Sequence, residues 1–238
     1  MKDFAHQAQQ LLGVKLSSNQ LRQFELFERE LVDWNTRFNL TAIQEPAQIH
    51  SKHFLDSLTC IPILIESGAE RVIDVGSGAG FPGIPLKIAA PALRMTLVES
   101  VGKKAGFCQH VIQILGLENI SVLTTRAEEL GQASDHRQQY DWAVARAVAV
   151  LPVLSEYLLP LVRVGGGVIA MKGENAPAEA HTAEHAVHLL GGRLRRLAKI
   201  VLPGVAEERY LIIIDKVAAT PTGYPRRAGL PAKRPITK

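Results

Sequence analysis

Apolar residues recur at spacings of three and four through Leu21, Phe24, Phe27, Leu31, Trp34 and Phe38. This predicts the buried face of a helix of about twenty residues starting at Asn19. Ser17-Ser18 offers a cap ahead of it, and a shorter helical stretch, Asp3 to Leu12, comes first. An aromatic face of this kind packs into a core. Asn39-Leu40-Thr41 breaks the pattern; Pro46 opens a further helix through His53, Asp56 and Ser57 to about Ile65, and Gly68 closes it. From Arg71 the texture changes to short apolar runs alternating with helical spacing. Strands are predicted at RVIDVG from Arg71, at Met95–Ser100, Ile120–Thr124, Asp141–Ala145, Gly167–Met171, Arg196–Leu202 and Tyr210–Val217. Helices are predicted at Gly83–Ala89, Lys103–Leu115, Val150–Val162 and Ala176–Leu190. Repeated strand–helix units imply a mostly parallel sheet covered by helices on both faces. The link around Pro203-Gly204 is too short for a parallel crossover, so the last two strands pair antiparallel. The chain divides into a helical region over residues 1–68, an α/β domain over 69–217 and a tail over 218–238.

The stretch with most chemical content is VIDVGSGAGFPGIPL, Val72 to Leu86. A buried strand runs into Gly76, Gly78 and Gly80, and Pro82 opens a helix. Such a corner lets the backbone approach a ligand closely. The spacing is not that of a dinucleotide fingerprint, because Phe81 stands where the third glycine belongs. Asp74 precedes the first glycine by two residues. A carboxylate there repels a pyrophosphate and favours a cationic sulfonium and ammonium, which points to S-adenosylmethionine.

Ligands of open parallel sheets lie beyond the carboxyl ends of the strands. Those ends carry Glu99, placed to accept ribose hydroxyl protons, then Arg126-Ala127-Glu128, where Ala127 and Glu128 flank an adenine edge, then Arg146 and Lys172. Arg146 is a permanent cation mid-cleft and needs a substrate, a cofactor carboxylate or an internal acid as partner. His53 and Asp56, three residues apart on one helix face, read as a hydrogen-bonded structural pair rather than metal ligands.

At 238 residues, 47% hydrophobic and 21% charged, the composition is that of an ordinary globular protein. No signal peptide heads the chain, and no apolar run has spanning length. Cys60 and Cys108 fit neither a metal spacing nor a disulfide framework, which places the protein in the reducing cytoplasm. The net charge is +4, and its distribution matters more than its size. From Pro221 onward stand Arg226, Arg227, Lys233, Arg234 and Lys238 with no acid; without those five the remaining 22 basic residues face 23 acidic ones. A short basic segment with four prolines and two glycines is not expected to pack, and it invites nucleic acid.

These residues, in order, resemble the bacterial 16S ribosomal RNA guanine-N7 methyltransferases, also called the glucose-inhibited division protein B family. The resemblance rests on Asn39-Leu40-Thr41, His53-x-x-Asp56-Ser57, DVGSGAGFPGIPL from Asp74, Lys103-Lys104, Arg126-Ala127-Glu128, Arg146-Ala147, Lys172-Gly173 and YPRRAGLPAKRP from Tyr224. It covers nearly the whole chain. Ala79 replaces the proline of many members, and some members lack the basic tail. The resemblance implies an α/β class I S-adenosylmethionine-dependent methyltransferase fold with an N-terminal helical extension. It implies methylation of one guanine in 16S ribosomal RNA, in a loop near the decoding centre. A monomer with no metal and no membrane partner is expected. By position the resemblance implies cofactor contacts at Gly76, Phe81, Glu99, Ser100, Val101, Ala127, Glu128 and Arg146, to which the glycine corner itself adds Asp74 and Gly78. Arg146 is the expected catalytic residue, acting as a positioning cation. Lys103, Lys104, Arg126, Lys172, Arg226, Arg227, Lys233 and Arg234 are expected to hold RNA phosphates. Guanine N7 carries a lone pair and no proton, so no proton-abstracting residue is nominated. Competing readings are a methyltransferase of a small molecule or protein and a non-catalytic RNA-binding or ribosome-assembly protein. A nicotinamide oxidoreductase trails because Phe81 breaks the dinucleotide spacing.

Overall fold

Seven strands form one sheet: β1 (Arg71–Val75), β2 (Arg94–Val98), β3 (Ile120–Leu123), β4 (Tyr140–Arg146), β5 (Val162–Lys172), β6 (Gly192–Ile200) and β7 (Arg209–Lys216). They come from a computed structural model that describes residues 1–237; Lys238, one of the basic residues of the tail, lies outside the described residues. The spatial order is β3-β2-β1-β4-β5-β7-β6. The first five are mutually parallel, and β7 runs antiparallel to both β5 and β6. Chain order reverses between β1 and β4, and a switch point of this kind opens a crevice at the strand ends.

The N-terminal helices cover one face. Lys2–Leu12 and Ser18–Phe38 bring Phe4, Phe24, Phe27 and Leu31 into a core shared with Val72, Leu97, Val144 and Ile213 of the sheet. Phe4 meets Phe24 edge-on at 4.9 Å. Ser17 and Gln20 make a reciprocal capping box. The Gln20 amide also donates to the Ile88 carbonyl at 2.7 Å, which ties the long helix to the α/β domain. The opposite face buries Ile73, Val75, Ala143, Val168 and Ile212 against the Leu151–Leu158 helix and the pair Ala176–Thr182 and Glu184–Leu189.

Local readings change in four places. The triple glycine lies inside β5 rather than ahead of it. A Cβ at Gly166 would stand 2.1 Å from the Asp141 carbonyl oxygen, and one at Gly167 2.6 Å from the Trp142 ring, so glycine is what lets β5 pass this close to β4. The helix from Pro46 is irregular, with a π-helical turn at His50–Leu55 between Pro46–Ile49 and Asp56–Leu58. The helix expected over Ala176–Leu190 breaks at Ala183, and β6 begins four residues before Arg196.

The tail is the largest departure. It docks on the sheet's second layer. Arg137 gathers the carbonyls of Thr220, Pro221 and Tyr224, and Gln132 donates to the Pro225 carbonyl at 2.7 Å. Pro225 lies against Gly131, and Ile236 is buried in the second core. A proline-rich segment leaves its carbonyls unpaired internally, and the Arg137 fork satisfies them.

Candidate active site

Past β1 the backbone crosses to left-handed φ at Gly76 (73°), Gly78 (57°) and Gly80 (87°) before the Gly83–Ala89 helix. The three glycines differ in role. A Cβ at Gly76 would meet Val148 Cγ2 at 2.5 Å and one at Gly80 would meet Ile84 Cδ1 at 2.4 Å, whereas at Gly78 the nearest heavy atom is 4.0 Å away. Gly78 therefore faces open space. Its N–H donates to Glu99 Oε2 at 2.8 Å, and Glu99 Oε1 accepts from Val101 N at 2.8 Å, so the carboxylate is fixed beside the glycine corner. Each oxygen keeps a further lone pair.

The corner opens into a cleft of about 800 Å³, inside the size range of small-molecule sites. Its walls include Thr41, His53, Asp56, Phe81, Arg146 to Val150, Lys172, Glu179 and Arg209. Arg146, at the tip of β4, donates to Asp56 Oδ2 at 2.8 Å, to the Lys52 carbonyl at 3.1 Å and to His53 Nδ1 at 3.2 Å, and lies 5.1 Å above the Phe81 ring. A guanidinium only donates, so Nδ1 is the accepting nitrogen and His53 Nε2–H donates to Thr41 Oγ1 at 2.8 Å. Asn35 holds Thr41 through both its backbone N–H and its carbonyl, at 2.9 Å each.

His53 is therefore a neutral ring. Burial first, then the charge of Arg146, pushes its pKa down to about 3. The unfolded chain would bind a proton there below its ordinary value of 6.5, so this site contributes stability that is present above 6.5 and lost as pH falls toward about 3. Imidazole NMR signals followed from pH 8 to 4 are expected to show His53 neutral throughout. A midpoint near 6.5 would refute the arrangement.

On the far wall Lys172 pairs with Glu179 Oε2 at 2.7 Å and donates to the Ala149 carbonyl, and Glu179 Oε2 accepts from Leu151 N at 2.7 Å. This pair holds the Ala147–Val150 loop. Ala147 sits at a left-handed φ of 56°, and Val148 comes down on Gly76.

The family described as rRNA small subunit methyltransferase G matches residues 20–206. The chain belongs to this family. A protein named Ribosomal RNA small subunit methyltransferase G from Roseiflexus sp. (strain RS-1) is 50% identical over 224 residues, covering 94% of this chain and 95% of its own. Another of that name from Desulforamulus reducens is 46% identical over 230 residues, covering 97% and 96%. Among solved structures, an O-methyltransferase from Bacillus cereus in complex with SAH superposes with a TM-score of 0.59 at 15% identity, over 90% of this chain and 97% of that one. TrmN from Thermus thermophilus gives 0.52 at 19% identity, over 71% and 53%. The fold is that of the class I S-adenosylmethionine-dependent methyltransferases.

The expected site residues of this chain fall into groups. Gly76, Gly78, Phe81, Glu99, Lys104, Arg146 and Lys172 line the cleft. Ser100 and Val101 are exposed at the end of β2, just beyond Glu99. Asp74 turns away: its Oδ2 accepts from Gly83 N at 2.9 Å, and it is fully buried behind the corner, with its pKa pushed up to about 7 by that burial. Ala127 and Glu128 are buried one strand further out, and Glu128 Oε1 accepts from Gly229 N of the tail at 2.8 Å. Two expected RNA cations are committed inward: Lys172 to Glu179 and Arg226 to Glu156. Lys103 lies over the Phe38 ring at 5.7 Å, and Arg126, Arg227, Lys233 and Arg234 are exposed. His53 and Asp56 do not bond to each other; both bond to Arg146. Glu179 and Arg209 carry no spacing signal that marks them in advance, and Thr41 stands out only within the Asn39-Leu40-Thr41 motif, with no role attached. Among the described residues no group of three or more His, Cys, Asp or Glu could hold a metal ion, and no helix is long and apolar enough to cross a membrane.

Proposed function

We propose that the protein transfers a methyl group from S-adenosylmethionine to N7 of a guanine in 16S ribosomal RNA, in a loop near the decoding centre. The reading rests chiefly on membership of the rRNA small subunit methyltransferase G family across most of the chain. The open side of Gly78 and the lone pairs left on Glu99 fit the cofactor, with Phe81 and Arg146 on the neighbouring wall. When bound, S-adenosylmethionine supplies a methyl group activated on a cationic sulfur.

The cleft's own groups suit a nucleophile that brings no proton to remove. The carboxylates, the histidine and the tyrosine on its walls are already engaged: His53 with Thr41 and Arg146, Asp56 with Arg146, Glu99 with two backbone amides, Glu179 with Lys172 and Leu151 N, and Tyr210 with Glu208. Guanine N7 offers an in-plane lone pair, so alignment carries catalysis, an effect that reaches ~7–11 kcal/mol. Arg146, fixed by Asp56, His53 and the Lys52 carbonyl, orients reactants and moves no proton. Asp74 serves by holding Gly83 N and so the helix behind the corner. Lys103, Lys104, Arg126, Arg227, Lys233 and Arg234 guide RNA electrostatically. N7 is out of reach in a deep A-form groove, so the target guanine is unstacked or looped. Two free, buried thiols suit a reducing cytoplasm.

The test is methyl transfer in vitro to bare RNA and to small subunits, with the modified base mapped by borohydride–aniline cleavage and reverse transcription. A single N7-methylguanine in small-subunit RNA is expected. Cofactor binding without any N7 product would remove the guanine assignment, and no cofactor binding would remove the whole reading.

A further inference from the structure

Five cations line the cleft: Lys52, Lys104, Arg146, Lys172 and Arg209. Three have an acid of their own: Lys52 pairs with Glu207 at 2.7 Å, Arg146 with Asp56 at 2.8 Å and Lys172 with Glu179 at 2.7 Å. Lys104 has no ion-pair partner among the described residues, but it lies on the Gly102–Ile114 helix that follows β2, at the cofactor end of the cleft. Arg209 is different. It opens β7, lines the opposite end of the cleft, is half-buried, and forms no ion pair or side-chain hydrogen bond among the described residues. Its Nε is buried and has no hydrogen-bond partner. The two acids just before it in the chain are both taken, Glu207 by Lys52 and Glu208 by Lys199 and Tyr210.

A guanidinium has five N–H donors and cannot shed its charge. Held in a half-buried wall beside Lys52 and Arg146, with its donors unanswered, it is a site waiting for an anion with paired oxygens. The sheet order settles which anion. Glu99 ends β2, and β7 lies four strand spacings away in the order β2-β1-β4-β5-β7, roughly 19 Å at the usual spacing. A cofactor held at Gly78 and Glu99 occupies the β2–β1 end and reaches toward β4. Arg209 lies beyond it, where the nucleotide to be methylated must enter.

We propose that Arg209 is a substrate-binding residue that clamps a backbone phosphate of the RNA at the target nucleotide. This rests on the reading of the protein as an RNA methyltransferase. A phosphate presents two or three oxygens to the fork and balances the one unpaired charge of this wall, whereas a base edge would leave that charge uncompensated. The contact carries no base discrimination; it fixes where the nucleotide sits while Arg146 and the Ala147–Val150 loop face its base.

The test uses full-length protein with S-adenosylhomocysteine present and a short RNA loop containing the mapped guanine. One version of the RNA carries a neutral methylphosphonate at that nucleotide. Arg209→Met is expected to weaken RNA binding about tenfold and to lower the salt slope by roughly 0.7, one single-strand phosphate contact. Arg209→Lys should restore most of the slope. The methylphosphonate should cost wild type a similar factor and cost Arg209→Met nothing. S-adenosylhomocysteine affinity and melting temperature should stay at wild-type values. An unmoved slope in Arg209→Met, an equal methylphosphonate penalty in both proteins, or a loss of S-adenosylhomocysteine affinity in the variant would each overturn the assignment; the last would give Arg209 to the cofactor. Methyl transfer by wild type to the same RNA is run in parallel. Its absence counts against the proposed function, while its presence with an unmoved slope counts against the phosphate clamp alone.

Discussion

Arg226→Ala is expected to lower the melting temperature by roughly 10 °C and to weaken cofactor binding, although Arg226 stands in a tail that reads as a solvated RNA-binding appendage. Glu156, on the Leu151–Leu158 helix, is 0% exposed. Its two oxygens take the Arg226 backbone N–H at 2.8 Å, Nε at 2.9 Å and Nη2 at 2.6 Å. Removing the guanidinium leaves a buried carboxylate with little to answer it, and breaking a buried pair in this way costs about 3–5 kcal/mol. For a chain of this length each kcal/mol moves the midpoint by about 2–4 °C. The cofactor effect follows from the strap's other end, where Gly229 N reaches Glu128 on the Ala127–Leu130 helix beside β3. Adding Glu156→Gln to Arg226→Ala should recover much of the loss, because the uncompensated charge goes with it. The check is thermal unfolding of both variants with calorimetry of S-adenosylhomocysteine binding. A midpoint within about 2 °C of wild type for Arg226→Ala would mean the pair does not hold the tail.

That prediction turns on a contact 70 residues apart in the chain, which marks where sequence reasoning ends. The sheet was legible because its strands are buried apolar runs cut by glycine and proline, and the hairpin of β6 and β7 because its link is short. The start of β5 was not: three glycines look like a turn, and only the closeness of Asp141 and Trp142 makes them strand. The orientation of Asp74 could have been read from the period of two. Val72 faces the first core while Ile73 and Val75 face the second, so Asp74 points with Val72, behind the corner. The glycine turn was legible because the left-handed φ of Gly76, Gly78 and Gly80 is a local property. Partner choice was not. That Arg146 selects Asp56 and His53, Lys172 selects Glu179 and Arg137 collects tail carbonyls depends on residues 7 to 93 apart. The tail failed as an appendage for the same reason: it has too little apolar surface to fold alone, but enough to dock on a groove already built.

Gly78→Asp is expected to weaken cofactor binding by up to about 100-fold while the protein stays folded. Gly78 takes a φ of 57°, which aspartate and asparagine enter more readily than other side chains. Gly78 lines the cleft, and no heavy atom lies closer than 4.0 Å to where a Cβ would sit, so the substitution meets no steric barrier at that atom. The space it fills is the space a ligand's close approach to the backbone requires. Overpacking of this order costs about 1–3 kcal/mol, which corresponds to an affinity loss on the order of 100-fold at the upper end. Charge is separable from volume. A carboxylate would attract a sulfonium, so any loss in Gly78→Asp occurs against favourable electrostatics, and neutral Gly78→Asn should lose at least as much. Gly76→Ala and Gly80→Ala are different cases, since their Cβ atoms would press on Val148 and Ile84 and the fold would have to give. Calorimetric titration of S-adenosylmethionine into Gly78→Asp and Gly78→Asn, with melting curves to show both folded, decides the matter. Near-normal affinity in Gly78→Asn would mean that the glycine corner only turns the chain, and that the methyl donor sits elsewhere in the cleft.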